Sequence, residues 1–311
     1  MSQSTLADAR PSGATLAAFA AATLFGGGNF IGVRFSNREL DPLWGATLRF
    51  SVAALLFVLI VTAMRLRWPR GRVLLHTAAF GLLSVALFYA LMYWALVRVT
   101  AGVATVVMAM VPLVTLLLAG AHGMEQIGRR QLAGAVLAIV GSGWISIGPE
   151  ELRIPPLALV AMGLAILCVG ESVILGKKLS ANHPAMTNAV AMTTGAAALA
   201  VMSAVAGDRW VLPQATEVRW AVAYLVTLGS VGLFVLILLV VRTWTASATA
   251  YMFVLFPIVT MLLAAALGDE DLTLRGVTGA LVVMAGVWFG ALAPGATASS
   301  PVAGTLPADR A

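Results

Sequence analysis

The sequence contains one cysteine, Cys168, and three histidines in 311 residues. A single thiol can build neither a disulfide framework nor a thiolate metal site. The histidines fall in separate loops or helix ends, at His76, His122 and His183, so no metal or catalytic cluster is expected. The H-E-x-x-H, G-x-S-x-G, Walker A and Rossmann-type phosphate motifs are also missing. These absences argue against an enzyme, against a bound cofactor or metal, and against ATP-driven transport within this chain.

Charged residues are scarce too, at 10% of the chain, where a soluble domain has about 25%. Hydrophobic residues make up 60%, and the mean hydropathy is +0.97. Apolar stretches of roughly 18 to 23 residues recur along the chain, long enough to cross a hydrocarbon core. Because a segment in lipid must satisfy its own backbone hydrogen bonds, such long stretches favour helices over barrel strands. We therefore predict an all-α integral membrane protein in contact with the lipid bilayer.

Ten transmembrane helices are predicted, since ten apolar stretches follow one another with only short polar turns between them. Their expected ranges are 14–35, 42–64, 73–97, 101–120, 130–147, 157–176, 185–206, 220–241, 246–267 and 275–292. The segments 1–13 and 294–311 are rich in small and polar residues and are expected to be tails outside the membrane.

The net charge of +6 comes from basic residues in separate short loops rather than from one basic stripe, so no nucleic-acid partner is predicted. More lysines and arginines fall on the side of the amino terminus than on the opposite side, above all in residues 65–72. Cytoplasmic loops of membrane proteins carry this excess. Both termini are therefore expected in the cytoplasm, with the chain in the plasma membrane, the inner membrane of a bacterium.

The chain repeats itself at a constant offset of 145 residues, which relates the fourth and fifth predicted helices to the ninth and tenth. The matched pairs are Pro112 and Pro257, Thr115 and Thr260, Gly123 and Gly268, Glu125 and Glu270, Arg130 and Arg275, Gly134 and Gly279, and Gly141 and Gly286. Near the start of each half the offset is 142, which aligns Gly28 with Gly170, Asn29 with Glu171, and Pro42 with Pro184.

Each half, 14–148 and 157–293, thus has five predicted helices. Because five is odd, the two halves must cross the membrane in opposite orientations. Inverted repeats of this kind surround a central cavity in many secondary transporters, with the substrate near the midplane.

Two signatures resemble a known family. The first is Gly28-Asn29-Phe30 followed by Pro42, Arg49 and a long apolar run, which is similar to the opening of an EamA domain. The second is Tyr93-Trp94-Ala95-Leu96 followed by Ala104, Pro112, Glu125, Gly134 and Gly141, which is similar to the third to fifth helices of that domain. The likeness covers 14–292 and is to the ten-helix members of the drug/metabolite transporter superfamily, which contain two EamA repeats.

The resemblance implies a carrier that exports small organic metabolites, amino-acid-like or related amphipathic solutes, by alternating access. Which substrate is carried does not follow from it, and neither does the coupling ion. One departure from symmetry is that Arg49 aligns with Ala191 in the second half. The residues themselves leave a channel, or a membrane protein without transport such as a sensor or an embedded enzyme, as the alternative.

Arg49 and Asn29 are candidates for the substrate cavity. A charge far from a helix end costs at least about 2.5 to 3.5 kcal/mol, so it usually faces a partner or a water-filled space. In antiparallel first and second helices these two residues share one depth. The alternative is that Arg49 ties helices together through carbonyl groups or extends to the membrane surface.

Glu171, in the sixth predicted helix, is the candidate for coupling transport to protons. A partly desolvated carboxylate can exchange a proton during a transport cycle. The alternative is a carboxylate that contacts Lys177 or Lys178 near the cytoplasmic surface.

Pro112 and Pro257 are hinge candidates, since each falls near the middle of a predicted span, where proline removes a backbone hydrogen bond and kinks the helix. Static bends that shape the cavity are the alternative. The remaining candidates for the cavity wall are aromatic or moderately polar residues, namely Tyr89, Tyr93, Trp94, Thr105, Met108, Tyr251 and Phe256.

Two further sets are interpreted as structural. Glu125 and Glu270 precede the fifth and tenth predicted helices, where a carboxylate favours the positive end of the helix dipole. Gly134, Gly279 and Gly286 allow helices to approach closely. Whether this close packing lies within one chain or between two copies in a homodimer is left open by the sequence.

Overall fold

The computed structural model describes residues 11–96, 98, 107–146, 155–266 and 274–292. In this part of the chain every regular element is helical, which confirms the all-α prediction. Eight of the helices are long and apolar enough to cross a membrane, and a shorter apolar helix covers Val111–Ala121. The start of the fourth predicted span lies outside the described residues, and so do Thr105 and Glu270.

The helices, numbered in chain order, are α1 Gly13–Ser36, α2 Pro42–Ala63, α3 Gly71–Gly81 with Leu82–Leu87 and Phe88–Leu96, α4 Val111–Ala121, α5 Arg129–Ser146, α6 Pro156–Lys178, α7 Pro184–Ala206, α8 Thr216–Val226 with Thr227–Gly232 and Leu233–Thr243, α9 Ala246–Ala250 with Met252–Ala266, and α10 Leu274–Val287 with Trp288–Leu292.

Local sequence signals set several helix limits. The hydroxyl of Ser12 accepts a hydrogen bond from the N–H of Thr15, 3.1 Å away, at the start of α1. Proline occupies the first turn of α2, α6 and α7, where its missing N–H breaks no helical bond. Gly207 ends α7 with a φ of 77°, which glycine adopts without a Cβ clash.

The connections lie at two ends of the bundle. The end where α1 begins, called the N side, carries the connections α2–α3, α4–α5, α6–α7 and α8–α9, and the opposite end is called the far side. On the far side three carboxylates, the far-side clasp, join the α1–α2 and α7–α8 connections. Each accepts a hydrogen bond from a backbone N–H group. Glu39 accepts from Ala215 (3.0 Å), Asp41 accepts from Arg209 (2.7 Å), and Asp208 accepts from Trp44 (2.9 Å).

The helices pack with an approximate two-fold symmetry that exchanges the halves α1–α5 and α6–α10. On this axis α2 packs against α7 and α5 against α10, so each of these helices contacts its own counterpart. Away from the axis, α1 packs on α8 and α9, just as α6 packs on α3 and α4. The bundle therefore consists of two interleaved five-helix repeats.

Both repeats contain a π turn at the same place. In α3 the π turn covers Leu82–Leu87, and in α8 it covers Thr227–Gly232. These ranges are related by the offset of 145 residues that the sequence shows for the later helices of each half. The repeat register therefore extends to α3 and α8, whose sequences show no obvious similarity.

Close packing between α5 and α10 depends on glycine. A Cβ at Gly134 would lie 2.5 Å from backbone atoms of Gly290, and one at Gly141 would lie 2.8 Å from the backbone nitrogen of Val283. The small residues noted in the sequence therefore serve helix packing within one chain.

Candidate functional site

Arg49 lies at the centre of the bundle and is only 1% exposed. Its Nε donates to the hydroxyl of Ser230 (2.7 Å), and its Nη2 donates to the carbonyl of Gly229 (2.8 Å). The Nδ2 of Asn29 donates to the same carbonyl (3.1 Å). Side chains from α1 and α2 thus meet on the π turn of α8, and the structure brings Arg49 and Asn29 together.

Glycine makes this meeting of helices possible. A Cβ at Gly229 would overlap the Oδ1 of Asn29, and a Cβ at Gly28 would overlap the hydroxyl of Tyr224. That hydroxyl donates to the carbonyl of Phe25 (3.0 Å), which fixes α1 against α8. The Gly28-Asn29 pair therefore combines close approach of the backbone with a polar side chain aimed at the π turn.

Two polar atoms at this centre are buried and have no hydrogen-bond partner among the described residues. They are Nη1 of Arg49 and Oδ1 of Asn29. The guanidinium lies over the rings of Phe50, at 4.7 Å, and Tyr89, at 5.4 Å. Neither of the two ion pairs in the described part of the chain involves Arg49. The centre therefore contains a positive charge without a carboxylate partner, next to an unused acceptor.

Aromatic rings form one wall of this polar centre. Tyr89 packs edge-on against Phe50, with ring centroids 4.8 Å apart, and Tyr93 lies 6.2 Å from Tyr89. Phe234 of α8 completes the group, 6.0 Å from Phe50. The candidates Tyr89 and Tyr93 thus join Arg49, whereas Phe50 and Phe234 were missed because they lie in apolar runs without a distinguishing pattern.

Arg49, Phe50, Tyr93 and Phe234 are buried in the interior of the bundle, where the sequence predicts a central cavity. Two hollows lie away from this centre, one along the surface of α5 and one between the N-side ends of α6, α7 and α8. The protein is therefore closed around its polar centre in this structure.

Among the described residues, four other candidates for the cavity wall make no hydrogen bond or ring contact with Arg49. Trp94 is 38% exposed on the surface of the bundle, where it lies 3.8 Å from the guanidinium of Arg98. The hydroxyl of Tyr251 donates to the carbonyl of Gln131 (3.1 Å), which ties α9 to α5. Phe256 packs against α1, and Met108 is buried. The placement of Trp94 and Tyr251 in the cavity wall therefore stays a prediction.

Glu171 forms a hydrogen-bonded chain on the N side. Its carboxylate lies 3.0 and 3.1 Å from Nε2 of His122, which follows α4, and Nδ1 of that ring lies 3.1 Å from Nζ of Lys178. Both Glu171 and His122 are about one-third exposed. The histidine therefore lies between Glu171 and Lys178, whose direct contact was the alternative to a coupling role.

Lys177 and Glu125 hold the turn between α8 and α9, and we call this arrangement the α8–α9 clamp. Nζ of Lys177 donates to the carbonyls of Val241 (2.7 Å) and Trp244 (2.5 Å) at the end of α8. The buried carboxylate of Glu125 accepts from the N–H of Ala246 (2.7 Å) and from the N–H and hydroxyl of Ser247.

Glu125 is a helix cap, as predicted, but the helix that it caps is not α5, which follows it in the chain. It caps α9, in the other repeat, because the loop after α4 folds over the start of that helix. Burial raises the pKa of the Glu125 carboxyl above its usual value, and the hydrogen bonds from Ser247 and Ala246 oppose this rise.

The two prolines occupy unlike positions. Pro112 lies in the first turn of the regular part of α4, directly after a turn at 109–110. Residues 107–108 before this turn are helical, so the helix is interrupted directly before Pro112, and the hinge role of Pro112 stays a prediction. Pro257 does lie inside a helix, the Met252–Ala266 part of α9. The two prolines therefore differ in their local structure, since the helix is interrupted before Pro112 and continues through Pro257.

Known proteins resemble this chain over most of its length. The chain is 26% identical over 272 residues to an uncharacterized transporter of Archaeoglobus fulgidus, which covers 85% of this chain and 94% of that protein. It is 27% identical over 260 residues to the uncharacterized inner membrane transporter YedA of Escherichia coli K12, 83% of each chain. A probable terminal-alkyne amino-acid exporter of Streptantibioticus cattleyicolor is 29% identical over 119 residues, 38% of this chain and 40% of that protein.

The fold also matches a solved crystal structure of another protein. The TM-score is 0.74, and the match covers 90% of this chain and 98% of the other. The identity is 14%, so this likeness concerns the fold alone. The model of the EamA-like transporter family matches twice, at residues 12–147 and 156–291. The chain is therefore a multi-pass membrane protein of the EamA-like transporter family, within the drug/metabolite transporter superfamily, and a transporter rather than an enzyme.

Proposed function

We propose that this transporter is a secondary carrier that exports small, amino-acid-like metabolites across the bacterial inner membrane by alternating access, with both termini in the cytoplasm. The observation that carries the proposal is the polar centre, where Arg49 and Asn29 of one repeat meet the π turn of the other. A site shared between inverted repeats is the place where such carriers bind solutes. The names of two relatives, an inner membrane transporter and a probable amino-acid exporter, support it.

The contacts at the two ends of the bundle support alternation. The far-side clasp closes one end and the α8–α9 clamp closes the other, with the polar centre between them. Each closure joins segments from both repeats. Opening one while the other holds exposes the centre to one side of the membrane at a time, as alternating access requires.

The test compares metabolites released by cells that overproduce the wild-type protein with those released by empty-vector cells. We expect a few solutes to accumulate outside only when the protein is present, and to show saturable counterflow in proteoliposomes. A Pro112→Ala variant is expected to release less of these solutes, because Pro112 directly follows the interruption in the fourth helix that is the hinge candidate. Equal release by both cultures, despite confirmed membrane insertion, contradicts export, and flux that never saturates identifies a channel.

Proton coupling is assigned to the chain of Glu171, His122 and Lys178. A carboxylate and an imidazole in contact can pass a proton between the N side and the interior. We expect Glu171→Gln to slow proton-driven export and to remove its dependence on pH, while counterflow without a proton gradient persists. Glu217→Gln, at an exposed position in the first turn of α8, is the matched control. An unchanged rate and pH profile in Glu171→Gln excludes this coupling role.

A further inference from the structure

We propose that Thr260 and Thr115, at equivalent positions of the two repeats, are alternating latches. Thr260 holds the far side closed in this structure, and Thr115 forms the equivalent hydrogen bond when the N side closes and the far side opens. This inference rests on the proposed function, since it assumes alternating access. It is drawn from a hydrogen bond between helices that is formed at Thr260 and not at Thr115.

The first step concerns the latch that is closed. The hydroxyl of Thr260 in α9 lies 2.8 Å from the carbonyl oxygen of Gly27 in α1, and 3.0 Å from the carbonyl oxygen of Phe256 in its own helix. A Cβ at Gly27 would lie only 2.5 Å from Cγ1 of Val259, so the two helices are in close contact at this point. Gly27 lies in the half of α1 nearer the far side. The hydrogen bond therefore fastens α9 to α1 on the way to the closed far side.

The second step concerns the equivalent residue in the other repeat. Thr115 in α4 is 0% exposed, and its hydroxyl has no hydrogen-bond partner among the described residues. A threonine inside a helix commonly donates to the carbonyl four residues earlier, as Thr47 and Thr77 do in this protein. A buried donor without an acceptor is costly. A conformation that supplies an acceptor to Thr115 is therefore favoured by this residue.

The third step compares the spacing of the two helix pairs. In α6, a Cβ at Gly170 would lie 3.3 Å from Cγ1 of Val114 and 3.4 Å from the hydroxyl oxygen of Thr115. At Gly27 of α1, the corresponding distance to Cγ1 of Val259 is 2.5 Å. Val114 and Val259 are related by the offset of 145 residues, so the contacts are equivalent, and α4 lies further from α6 than α9 lies from α1. This wider spacing is in the half of α6 nearer the N side.

The relation between inverted repeats turns this difference into two states. When the halves exchange their conformations, the carrier faces the opposite side of the membrane. The exchange closes α4 on α6, where the carbonyl of Gly170 becomes the acceptor for Thr115. It also separates α9 from α1, so that Thr260 loses the carbonyl of Gly27. Each state has one latch closed, and removal of one hydroxyl shifts the population towards the state that uses the other.

The experiment measures distances between pairs of spin labels by double electron–electron resonance, on the full-length protein in proteoliposomes. The single cysteine is first removed by Cys168→Ser, so that only introduced cysteines are labelled. Labels at Asn37 and Ala266 report the separation of α1 and α9 on the far side. Labels at Ala121 and Ser180 report the separation of α4 and α6 on the N side.

Valine replaces threonine in the variants, because it keeps the branched shape and removes the hydroxyl. Thr260→Val is expected to raise the ratio of molecules with a separated far side to those with a closed one about fivefold, as the loss of one hydrogen bond implies. Thr115→Val is expected to lower this ratio about fivefold. The double variant should return to the wild-type ratio. Thr62→Val is the matched control and should change neither distance, since this exposed threonine donates to the carbonyl of Val58 in its own helix.

Thermal unfolding of the same variants in detergent gives a second readout that needs no labels. The Thr260 hydroxyl is bonded between helices in this structure, whereas the Thr115 hydroxyl has no partner among the described residues. We therefore expect Thr260→Val to melt at a lower temperature than Thr115→Val. Equal or reversed melting midpoints contradict the inference.

The inference is also overturned if the two single variants shift the far-side distance in the same direction, or if neither variant shifts it. In either case saturable counterflow of solutes by the wild type in proteoliposomes leaves the carrier function standing. If no solute shows counterflow, the proposed function itself fails.

Discussion

Glu125→Ala is expected to lower the free energy of unfolding by about 3 kcal/mol and the melting midpoint by roughly 6 to 12 °C. The buried carboxylate accepts from the N–H groups of Ala246 and Ser247 and from the Ser247 hydroxyl. Alanine leaves all three donors without a partner at the start of α9. Each unsatisfied buried group costs about 1 to 3 kcal/mol.

The measurement is thermal unfolding of the purified protein in detergent, followed by loss of the monodisperse form. Glu217→Ala is the control, because this glutamate is exposed in the first turn of α8. A change of 1 kcal/mol in the free energy of unfolding shifts the melting midpoint by roughly 2 to 4 °C. A melting midpoint of Glu125→Ala within 1 or 2 °C of the control would therefore falsify the capping role.

The same carboxylate makes stability depend on pH. Burial raises its pKa in the folded protein above the ordinary value of 4.5, so the folded state binds the proton more tightly than the unfolded state. This contribution to stability is fully present below pH 4.5 and is lost as the pH rises through the raised pKa. In Glu125→Gln we expect this part of the pH dependence of the melting midpoint to disappear, and the variant to melt near the protonated wild type.

Gly81→Ala is expected to destabilise the protein by about 1 to 3 kcal/mol, with the melting midpoint lowered by roughly 3 to 10 °C. A Cβ at Gly81 would overlap the carbonyl oxygen of Ala191 and lie 2.5 Å from its Cα. These are backbone atoms of α7, so the clash cannot be relieved by turning a side chain. Helices α3 and α7 must move apart instead.

The matched control is Gly163→Ala in α6, where an added Cβ meets no heavy atom within 4 Å. Alanine has the better helix propensity, so this variant is expected to be neutral or up to about 1 kcal/mol more stable. Opposite signs for the two substitutions in one melting experiment confirm that close packing, and not helix propensity, governs Gly81. A Gly81→Ala protein as stable as the control shows that α3 and α7 have room to shift.

Much of the architecture can be predicted from the sequence because helix length and the internal repeat act locally. Apolar length alone locates the spans, since each must cross the bilayer by itself. The offset of 145 residues anticipates the two interleaved halves. For the site, the depth of Arg49 and Asn29 in neighbouring antiparallel helices predicts their meeting, which the structure shows.

What the sequence does not reveal are contacts between groups distant in the chain. His122 lies 49 residues from Glu171 and enters the site only because α4 packs on α6. Glu125 reaches α9 across the boundary between the repeats, 121 residues away. The pattern of apolar residues places a side chain on a helix but does not say which neighbour it meets, as Trp94 and Tyr251 demonstrate.

The paired π turns have a consequence for the energy of the transport cycle. Two identical halves could exchange their conformations to give inward-open and outward-open states of equal energy. Here the π turn of α8 is bridged by the charged side chain of Arg49, whereas the one in α3 faces α7, where Ala191 stands at the aligned position. For the alternating access proposed above, we therefore expect Arg49 to make the two open states unequal in energy, so that the empty carrier opens preferentially to one side.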